Sequence, residues 1–552
     1  MTAPLLSIRG LSVVARLPDH EHTLLNNISL DVGKAEVVGL VGESGSGKSL
    51  LCRSIIGLMP SRSLVLTHGS VFLRERDIAR ASDAELQKIR GGEIGMIFQN
   101  PTSHLDPVMR IGDQIVEGIV FHRKVAYGAA KAAALDIMAQ VGFTDPPRQF
   151  MNYPHEFSGG MRQRAMIAVA LSCDPELLIA DEPTTALDVT IQAQILKLLL
   201  DIRDARGLSI ILITHDLGVV AQTCDRIAVM QAGKIVEQGD KRQILRAPAA
   251  AYTKKLIASH GPLPDEDLRE RQNARLGHIR PILEIDDLFV RFPTSSGWLS
   301  KRRSFAAVDG LSLQVMPGET IGIVGESGSG KSTLARAMLG LQTTSSGHVT
   351  FDGVSLRLKP REALAKLQSE AAMVFQDPLN SLNPRFTIGE TLAEVLRVQG
   401  KVAPDKIEAR VGELLDLVEL DRSFAGRKPR SMSGGQCQRA GIARALAVEP
   451  KLIVADECIA ALDVTIQAQI VALFRRLVRQ MNLTLVFIAH DLAVVRYLCE
   501  RVVVMHHGKI VEEGPSDIIL AKPRRTYTAN LLAAVPDIDP DKSLFRPLPI
   551  TE

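Results

Sequence analysis

Residues 41–49 read Val-Gly-Glu-Ser-Gly-Ser-Gly-Lys-Ser, and the same nine residues recur at 324–332. Each copy follows a short apolar run and precedes a stretch of helical character, which is the context of a phosphate-binding loop. The glycines let backbone N–H groups turn towards a phosphate, and the N-terminus of the following helix adds the positive end of its dipole. Two copies with the correct flanks therefore predict two nucleotide-binding loops.

The repetition extends well beyond these loops. Residues 188–195, Asp-Val-Thr-Ile-Gln-Ala-Gln-Ile, recur at 463–470, and the His-Asp-Leu at 215–217 recurs at 490–492. A period this long that occurs twice indicates duplication of a whole domain, because solenoid repeats are much shorter. A polar, proline-bearing stretch between the halves suits a tether, with the boundary near residue 275. We predict a first domain at 1–260, a linker at 261–281, a second domain at 282–535 and a C-terminal tail at 536–552.

The composition is that of a globular protein without a broad charged surface. Of 552 residues, 46% are hydrophobic and 23% are charged. Because 65 lysines and arginines nearly balance 62 acidic residues, the formal charge of +3 disfavours nucleic acid as a partner. No apolar run reaches the ~20 residues of a membrane-spanning helix, and residues 1–9 lack the order of a secretory signal. We expect a cytoplasmic protein, and the six scattered cysteines suit a reducing compartment.

Short apolar runs without polar alternation predict parallel strands that are buried on both faces. In the first half these runs are 37–41, 177–180 and 210–213. A helical stretch at 191–202 lies between the last two, so the order predicts an α/β core with a mostly parallel sheet. Residues 103–153 and 381–430 look helical with few strand signals, which predicts an inserted helical subdomain in each half.

Two adjacent carboxylates end an apolar run in each half, as Asp181-Glu182 and as Asp456-Glu457. Ligands of open α/β sheets gather at such strand ends. The aspartate is suited to hold magnesium through its water shell, and the glutamate to polarise an attacking water. A single copy would be better interpreted as a surface pair, but repetition downstream of both loops favours the chemical role.

Phe157-Ser-Gly-Gly-Met161 and Met432-Ser-Gly-Gly-Gln436 each precede a long helical run. Together with the loops and the acidic pairs, they resemble the signature motif of the ATP-binding-cassette (ABC) family. The resemblance covers about residues 5–532. It implies an α/β fold of two tandem ABC-type P-loop NTPase domains, each with a mostly parallel sheet core, an antiparallel β subdomain and an inserted helical subdomain. It also implies an ATPase that uses ATP and Mg²⁺.

The resemblance assigns roles to individual residues. The catalytic residues would be Glu182, His215, Glu457 and His490. The nucleotide would be bound in the first half by Gly42, Glu43, Ser44, Gly45, Ser46, Gly47, Lys48, Ser49, Leu50, Gln99, Ser158, Gly159, Gly160 and Asp188. In the second half it would be bound by Phe292, Gly325, Glu326, Ser327, Gly328, Ser329, Gly330, Lys331, Ser332, Thr333, Gln376, Ser433, Gly434, Gly435, Gln436 and Asp463. Magnesium would be held by Ser49, Gln99, Asp181, Ser332, Gln376 and Asp456. In the family the signature segment caps ATP bound to the partner domain, so each site would need both halves.

The halves depart from the family pattern at three places. Phe292 stands where the family stacks an aromatic ring on adenine, whereas the first half has Ala15 there. Residues 458–460, Cys-Ile-Ala, replace the usual Pro-Thr-Ser beside the second glutamate, and Met161 replaces the usual signature glutamine. We predict that both sites bind and hydrolyse ATP, at unequal rates.

The segments 99–107 and 376–384 resemble the extended Q-loop of dipeptide, oligopeptide and nickel importers. Pro248-Ala-Ala-Ala-Tyr-Thr and Pro523-Arg-Arg-Thr-Tyr-Thr are similar to the ending of that subfamily. The resemblance implies two transmembrane permease subunits, a periplasmic solute-binding protein and a peripheral position on the cytoplasmic face of the bacterial inner membrane. Peptide, glutathione, nickel chelate, opine and sugar all remain open as cargo.

Two alternatives come from other classes of protein. A soluble twin-cassette, ribosome-associated translation factor would carry a long charged helical linker, whereas the interval here is short and broken by prolines. A chromosome or DNA-repair ATPase would show coiled-coil heptads or zinc-ligand clusters, which the sequence lacks. The importer is therefore the favoured hypothesis.

Overall fold

The computed structural model describes residues 3–18, 20–185, 187–258, 280–294, 303–460, 462–489 and 491–542. These residues form two compact units, one from residues up to 258 together with 536–542, and one from residues 280–535. Of the predicted linker, the structure describes only Arg280 and Pro281. His490 and the last ten residues of the predicted tail also lie outside the described residues.

The first unit contains two sheets. Its strands are β1 Leu6–Arg16, β2 Glu21–Val32, β3 Val37–Val41, β4 Leu64–Leu73, β5 Arg76–Asp77, β6 Ile94–Ile97, β7 Leu177–Asp181, β8 Ser209–Ile213, β9 Arg226–Gln231 and β10 Lys234–Asp240. An antiparallel sheet has the order β2-β1-β4-β5, and a six-stranded sheet has the order β10-β9-β3-β8-β7-β6. The six-stranded sheet is parallel except for its edge strand β10. Strands β3, β7 and β8 confirm the three predicted strands.

The helices of the first unit flank the six-stranded sheet or form the insertion. They are α1 Lys48–Ile55, α2 Asp83–Ile89, α3 Pro101–His104, α4 Ile111–Arg123, α5 Tyr127–Gln140, α6 Pro146–Phe150, α7 Gly159–Leu171, α8 Val189–Arg206, α9 Leu217–Thr223, α10 Lys241–Arg246 and α11 Ala251–Ala258, with a 3-10 turn at Pro154–Glu156. Helices α3 to α6 fill the region predicted to be a helical insertion, so that prediction is confirmed.

The second unit repeats this arrangement. Its strands are β11 Leu283–Thr294, β12 Arg303–Val315, β13 Thr320–Val324, β14 Ser346–Phe351, β15 Val354–Ser355, β16 Ala371–Val374, β17 Leu452–Asp456, β18 Thr484–Ile488, β19 Arg501–His506 and β20 Lys509–Pro515. Its helices are α12 Lys331–Met338, α13 Pro360–Glu370, α14 Pro378–Ser381, α15 Ile388–Gln399, α16 Ile407–Leu417, α17 Gly434–Leu446, α18 Val464–Met481, α19 Leu492–Leu498, α20 Ser516–Ala521 and α21 Thr526–Ala533, with 3-10 turns at Pro404–Lys406, Arg422–Gly426 and Pro429–Ser431. The sheets have the orders β12-β11-β14-β15 and β16-β17-β18-β13-β19-β20.

The central strands lack polar alternation because both faces of the sheet are covered. Along β3, Val37 and Val41 pack into a cluster with the helical insertion, while Val38 and Leu40 pack into a cluster with the antiparallel sheet. All four side chains are at most 1% exposed. The core is therefore three-layered, and the loops at the carboxyl ends of its strands are held by buried segments on both sides.

Residues 536–542 belong to the first unit. Ile538 packs against the cluster that contains the helical insertion, and Asp539 and Asp541 form ion pairs with Arg246 on α10. These ion pairs are about half exposed, so they add little stability. Within the described residues, no helix combines the length and the apolar character needed to cross a bilayer.

Candidate functional site

The sheet order brings the predicted motifs of the first unit to one edge. Strand β8 lies between β3 and β7, so residues that follow these three parallel strands are neighbours. The loop 42–47 follows β3, Asp181-Glu182 ends β7, and His215 follows β8. The backbone N–H of Glu182 donates to Ile213 O at 3.0 Å, and that of Glu457 donates to Ile488 O at the same distance.

The two phosphate-binding loops have the same geometry. Gly47 has φ 101°, and Gly330 has φ 102°, a conformation that side chains with a Cβ rarely adopt. Lys48 Nζ donates to the carbonyl oxygens of Gly42 at 2.7 Å and Glu43 at 2.9 Å. Lys331 Nζ makes the equivalent bonds to Gly325 and Glu326, at 2.8 and 2.9 Å. Both ammonium groups are buried, which places a fixed positive charge inside each loop.

A hydroxyl and a carboxylate meet beside each loop. Ser49 Oγ donates to Asp181 Oδ1 at 2.8 Å, and Ser332 Oγ donates to Asp456 Oδ1 at 2.9 Å. Burial raises the pKa of Asp181 and of Asp456, and the serine hydrogen bond opposes that shift only in part. Among the described residues Asp181 Oδ2 is buried without a hydrogen-bond partner. A hard cation with oxygen ligands fits this arrangement, because it would compensate both the charge and the unpaired oxygen.

Glu182 is the most densely bonded carboxylate of the first site. Gln99 Nε2 and Thr185 Oγ1 both donate to Glu182 Oε2 at 2.8 Å, and His215 Nδ1 lies 3.4 Å from Glu182 Oε1. Burial alone would raise the pKa of Glu182, but the hydrogen bond and charge of His215, the Thr185 hydroxyl and Lys48 together lower it to about 2. Burial lowers the pKa of His215, but Glu182 outweighs it and the net shift is upward. Glu182 is therefore ionised and oriented at neutral pH.

Strained backbone marks the same glutamate in both units. Glu182 and Glu457 each have φ 46°, in the left-handed region that non-glycine residues seldom occupy. Such strain is retained where the surrounding structure enforces it, and it concentrates at functional sites.

The second site shares only part of this network. Gln376 Nε2 donates to Glu457 Oε2 at 2.8 Å, as Gln99 does to Glu182. Ala460 stands where the first unit has Thr185, so the hydroxyl bond to the glutamate is missing. Burial raises the pKa of the neighbouring Cys458 to about 12, so this thiol is inert at neutral pH. The predicted partner His490 lies outside the described residues.

The signature serines are helix N-caps. Ser158 Oγ accepts from the N–H of Met161 at 3.4 Å, and Ser433 Oγ accepts from the N–H of Gln436 at 3.3 Å. In the second unit Gln436 Oε1 also accepts from the N–H of Ser433 at 3.0 Å, which completes a capping box. Methionine has no side-chain oxygen that could accept this bond. Helix α7 therefore keeps only the hydrogen bond from the N–H of Met161 to Ser158 Oγ.

Completing the cap should stabilise the first unit. We expect Met161→Gln to raise its unfolding free energy by about 0.5–1 kcal/mol, because one more N-terminal N–H gains a partner. The matched change Gln436→Met should lower the stability of the second unit by a similar amount. Calorimetric unfolding of the nucleotide-free chain measures both. A lower midpoint for Met161→Gln would show that the methionine is needed for packing.

The remaining predicted residues have definite places. Asp188 and Asp463 are N-caps of α8 and α18, and each accepts from the N–H three residues on at 2.9 Å. Leu50 and Thr333 lie half-buried in the first turns of α1 and α12. The other residues assigned to nucleotide binding lie within the two loops (Ser44, Gly45, Ser46, Ser327, Gly328 and Ser329) or in the first turns of α7 and α17 (Gly159, Gly160, Gly434 and Gly435).

Strand register shows where Phe292 and Ala15, the two residues compared as adenine-stacking candidates, lie. Phe292 on β11 pairs with Phe305 on β12, and both rings are partly exposed at 37% and 52%. In the first unit Ala15 on β1 pairs with His22 on β2. Both pairs lie near the C-terminal end of the first strand of the pair, β1 or β11, so Ala15 corresponds in structure to Phe292.

Two residues that bind the loops were not assigned to either site by the sequence. Tyr252 Oη accepts from the backbone N–H of Glu43 at 3.0 Å, and Tyr527 Oη accepts from that of Glu326 at 3.1 Å. Both belong to the Pro-x-x-x-Tyr-Thr endings, which the sequence linked to a subfamily and not to phosphate binding. That repeated ending, which follows each loop by about 200 residues, was the one signal that could have found them.

Residues 25–185 and 308–460 match the ABC transporter family, and residues 236–282 and 511–551 match the C-terminal region of oligopeptide/dipeptide transporters. The chain belongs to the ABC transporter family, and it is an ATP-binding subunit whose ATPase activity is coupled to transport. The predicted family, fold class and enzyme class are thereby confirmed.

Two relatives match almost the whole length of this chain. The glutathione import ATP-binding protein GsiA of Pectobacterium atrosepticum is 41% identical, over 97% of this chain and 90% of that protein. The peptidoglycan transport ATP-binding protein YejF of Agrobacterium fabrum is 42% identical, over 98% of this chain and 97% of that protein. Neither is a translation factor, so the ribosomal alternative has no support. Among solved structures, cbiO1 from Clostridium perfringens is 26% identical, covers 50% of this chain and 96% of its own, and has a TM-score of 0.38.

Proposed function

We propose that this chain is the ATP-hydrolysing subunit of a bacterial importer for peptides or similarly small solutes, glutathione among them. The observation that carries the proposal is the oligopeptide/dipeptide C-terminal region, which is matched in both halves. The named functions of the two full-length relatives support it. Its partners would be two transmembrane permease subunits and a periplasmic solute-binding protein, and its place the cytoplasmic face of the inner membrane.

The phosphates would be held by loop N–H groups and by a buried ammonium group in each unit. Lys48 and Lys331 already lie inside the loops, where they donate hydrogen bonds to carbonyl and hydroxyl oxygens. A triphosphate would attract the same ammonium groups far more strongly, because its oxygens carry formal charge. Ser158 and Ser433 would cap the γ-phosphate through the N-termini of α7 and α17. Phe292 would stack on adenine in the second site.

The attacking water would be oriented by Glu182 and Glu457. A carboxylate that is ionised at neutral pH accepts a hydrogen bond from water and polarises it. Gln99 and Gln376 each hold one of these carboxylates by a hydrogen bond. His215 lies beside Glu182, where it would interact with the negative charge of a bound phosphate. We assign the same role to His490 from its place in the sequence. Asp188 and Asp463 would hold the following helices in register.

Magnesium fits the oxygen atoms present. It would be held by Ser49, Asp181 and the Gln99 amide oxygen in the first unit, and by Ser332, Asp456 and Gln376 in the second. The Gln99 amide nitrogen faces Glu182, so its oxygen takes no part in that bond. When bound, the ion supplies neutralisation of the phosphate charge.

Gentle solubilisation of membranes followed by affinity purification of the tagged full-length chain tests the proposal. We expect two integral membrane subunits to co-purify and to survive a high-salt wash. A tagged chain carrying the exposed change Lys234→Ala should recover the same companions. Recovery of ribosomal proteins without membrane subunits would contradict import.

A further inference from the structure

The endings of both halves contact the phosphate-binding loops directly. Tyr252 lies on α11 and Tyr527 on α21, and each hydroxyl accepts from the loop N–H that follows the first glycine. The partners are 209 and 201 residues apart in the chain. The same long-range bond occurs in both units, with lengths of 3.0 and 3.1 Å, which favours a role that both halves retained after duplication.

The peptide group that each tyrosine holds also fixes the loop lysine. Glu43 N–H donates to Tyr252, and the carbonyl of the same peptide unit, Gly42 O, accepts from Lys48 Nζ at 2.7 Å. In the second unit Glu326 N–H donates to Tyr527, and Gly325 O of the same peptide unit accepts from Lys331 Nζ at 2.8 Å. Because a peptide unit is planar, holding its N–H also restricts the carbonyl that orients the ammonium group.

Each tyrosine is itself held by a second duplicated contact. Glu237 on β10 accepts from the N–H groups of Ala249 and Ala250, just before α11, at 2.7 and 3.1 Å. Glu512 on β20 accepts from the N–H groups of Arg524 and Arg525, just before α21, at 2.8 and 3.3 Å. These glutamates hold the two residues that precede each helix, three and two positions before the tyrosine.

Packing restricts the rings as well. Tyr252 packs against the core cluster that contains Leu256, and Tyr527 stacks on His506 with ring centroids 4.0 Å apart. Both tyrosines are half-buried, so their rings have little rotational freedom and each hydroxyl group is held in place. A restrained acceptor keeps the loop N–H paired and the loop shape defined before a phosphate arrives.

From these contacts we infer that Tyr252 and Tyr527 are positioning residues for ATP, which preorganise each phosphate-binding loop through its second residue. The C-terminal region of each cassette is thereby part of its nucleotide site. This inference rests on ATP binding by the family and not on the identity of the cargo. It can therefore fail while the importer proposal stands.

The test removes the hydroxyl and keeps the ring, with Tyr252→Phe, Tyr527→Phe and the double variant in the full chain. We expect the KM for MgATP and the dissociation constant of ADP to rise about threefold to tenfold in the double variant, from the loss of one hydrogen bond at each site. Because each tyrosine hydroxyl contacts the loop backbone and not the reacting atoms, kcat should stay within about twofold. The control is Tyr127→Phe, which removes a hydroxyl that donates to Asp113 at 3.0 Å in the helical insertion.

Backbone amide exchange separates positioning from general destabilisation. We expect residues 42–47 and 325–330 to exchange faster in the double variant, while helix α7 exchanges as in the unaltered chain. Faster exchange throughout the chain would reveal a purely structural role and would overturn the inference. Unchanged exchange in both loops, or unchanged nucleotide affinity, would overturn it equally.

Discussion

The double change Glu182→Gln with Glu457→Gln lowers the steady-state ATPase rate of the purified chain by about 100-fold to 10,000-fold, the usual range for loss of a positioned acid–base group. Glutamine keeps the shape of the side chain but cannot carry the charge that polarises water. The single change Glu182→Gln should remove the larger share of activity. Its carboxylate is bonded by Thr185, whereas Ala460 offers no hydroxyl at the second site. Phosphate release at saturating MgATP measures all three variants.

The control for this series is Glu75→Gln, which alters an exposed glutamate between β4 and β5. Equal losses from the two single variants would contradict the predicted inequality of the sites. Complete inactivity after either single change would indicate strict coupling between the two sites. An unchanged rate in the double variant would remove the proposed role from both glutamates.

The parallel core could be predicted because burial on both faces of the sheet produces apolar runs without polar alternation in the sequence. Strands β3, β7 and β8 read Val-Val-Gly-Leu-Val, Leu-Leu-Ile-Ala-Asp and Ser-Ile-Ile-Leu-Ile, so each is an almost continuous apolar run. The antiparallel sheet came from the resemblance alone. Strand β1 shows why, since its register with β2 shifts between Ile8 and Leu11 and again before Val13 and Val14. Each shift breaks the period of two on which strand recognition depends.

The residues of the site were predictable wherever they belong to short motifs. Lys48 and Ser49 belong to one such motif and Asp181 to another, and the structure joins Ser49 to Asp181 by a hydrogen bond. The tyrosine contacts were not predictable, because nothing in a helix ending specifies which loop about 200 residues earlier it will touch. The pairing of one half's loop with the other half's signature motif stays a prediction of the resemblance.

Loss of the loop lysines should abolish tight nucleotide binding. Lys48 and Lys331 are 6% and 3% exposed, and each donates to two loop carbonyl oxygens. Substitution by alanine therefore removes a positive charge and two hydrogen bonds that stabilise the loop. Charged hydrogen bonds to phosphate are among the stronger contacts in proteins. We expect MgATP to bind about 10-fold to 100-fold more weakly at an altered site, from the energy of one such bond.

Calorimetric titration of each variant with a non-hydrolysable ATP analogue counts the sites and measures their affinity. We expect Lys48→Ala and Lys331→Ala each to leave a single tight site, and the double variant to leave none. The double variant should also lose the rise in unfolding temperature that bound nucleotide confers, because ligand stabilisation depends on the ratio of concentration to dissociation constant. Lys234→Ala on β10, exposed and outside both loops, should keep two sites. Two unaltered sites in Lys48→Ala would contradict a phosphate-binding role for that lysine, because its ammonium group is the charge that the first loop encloses.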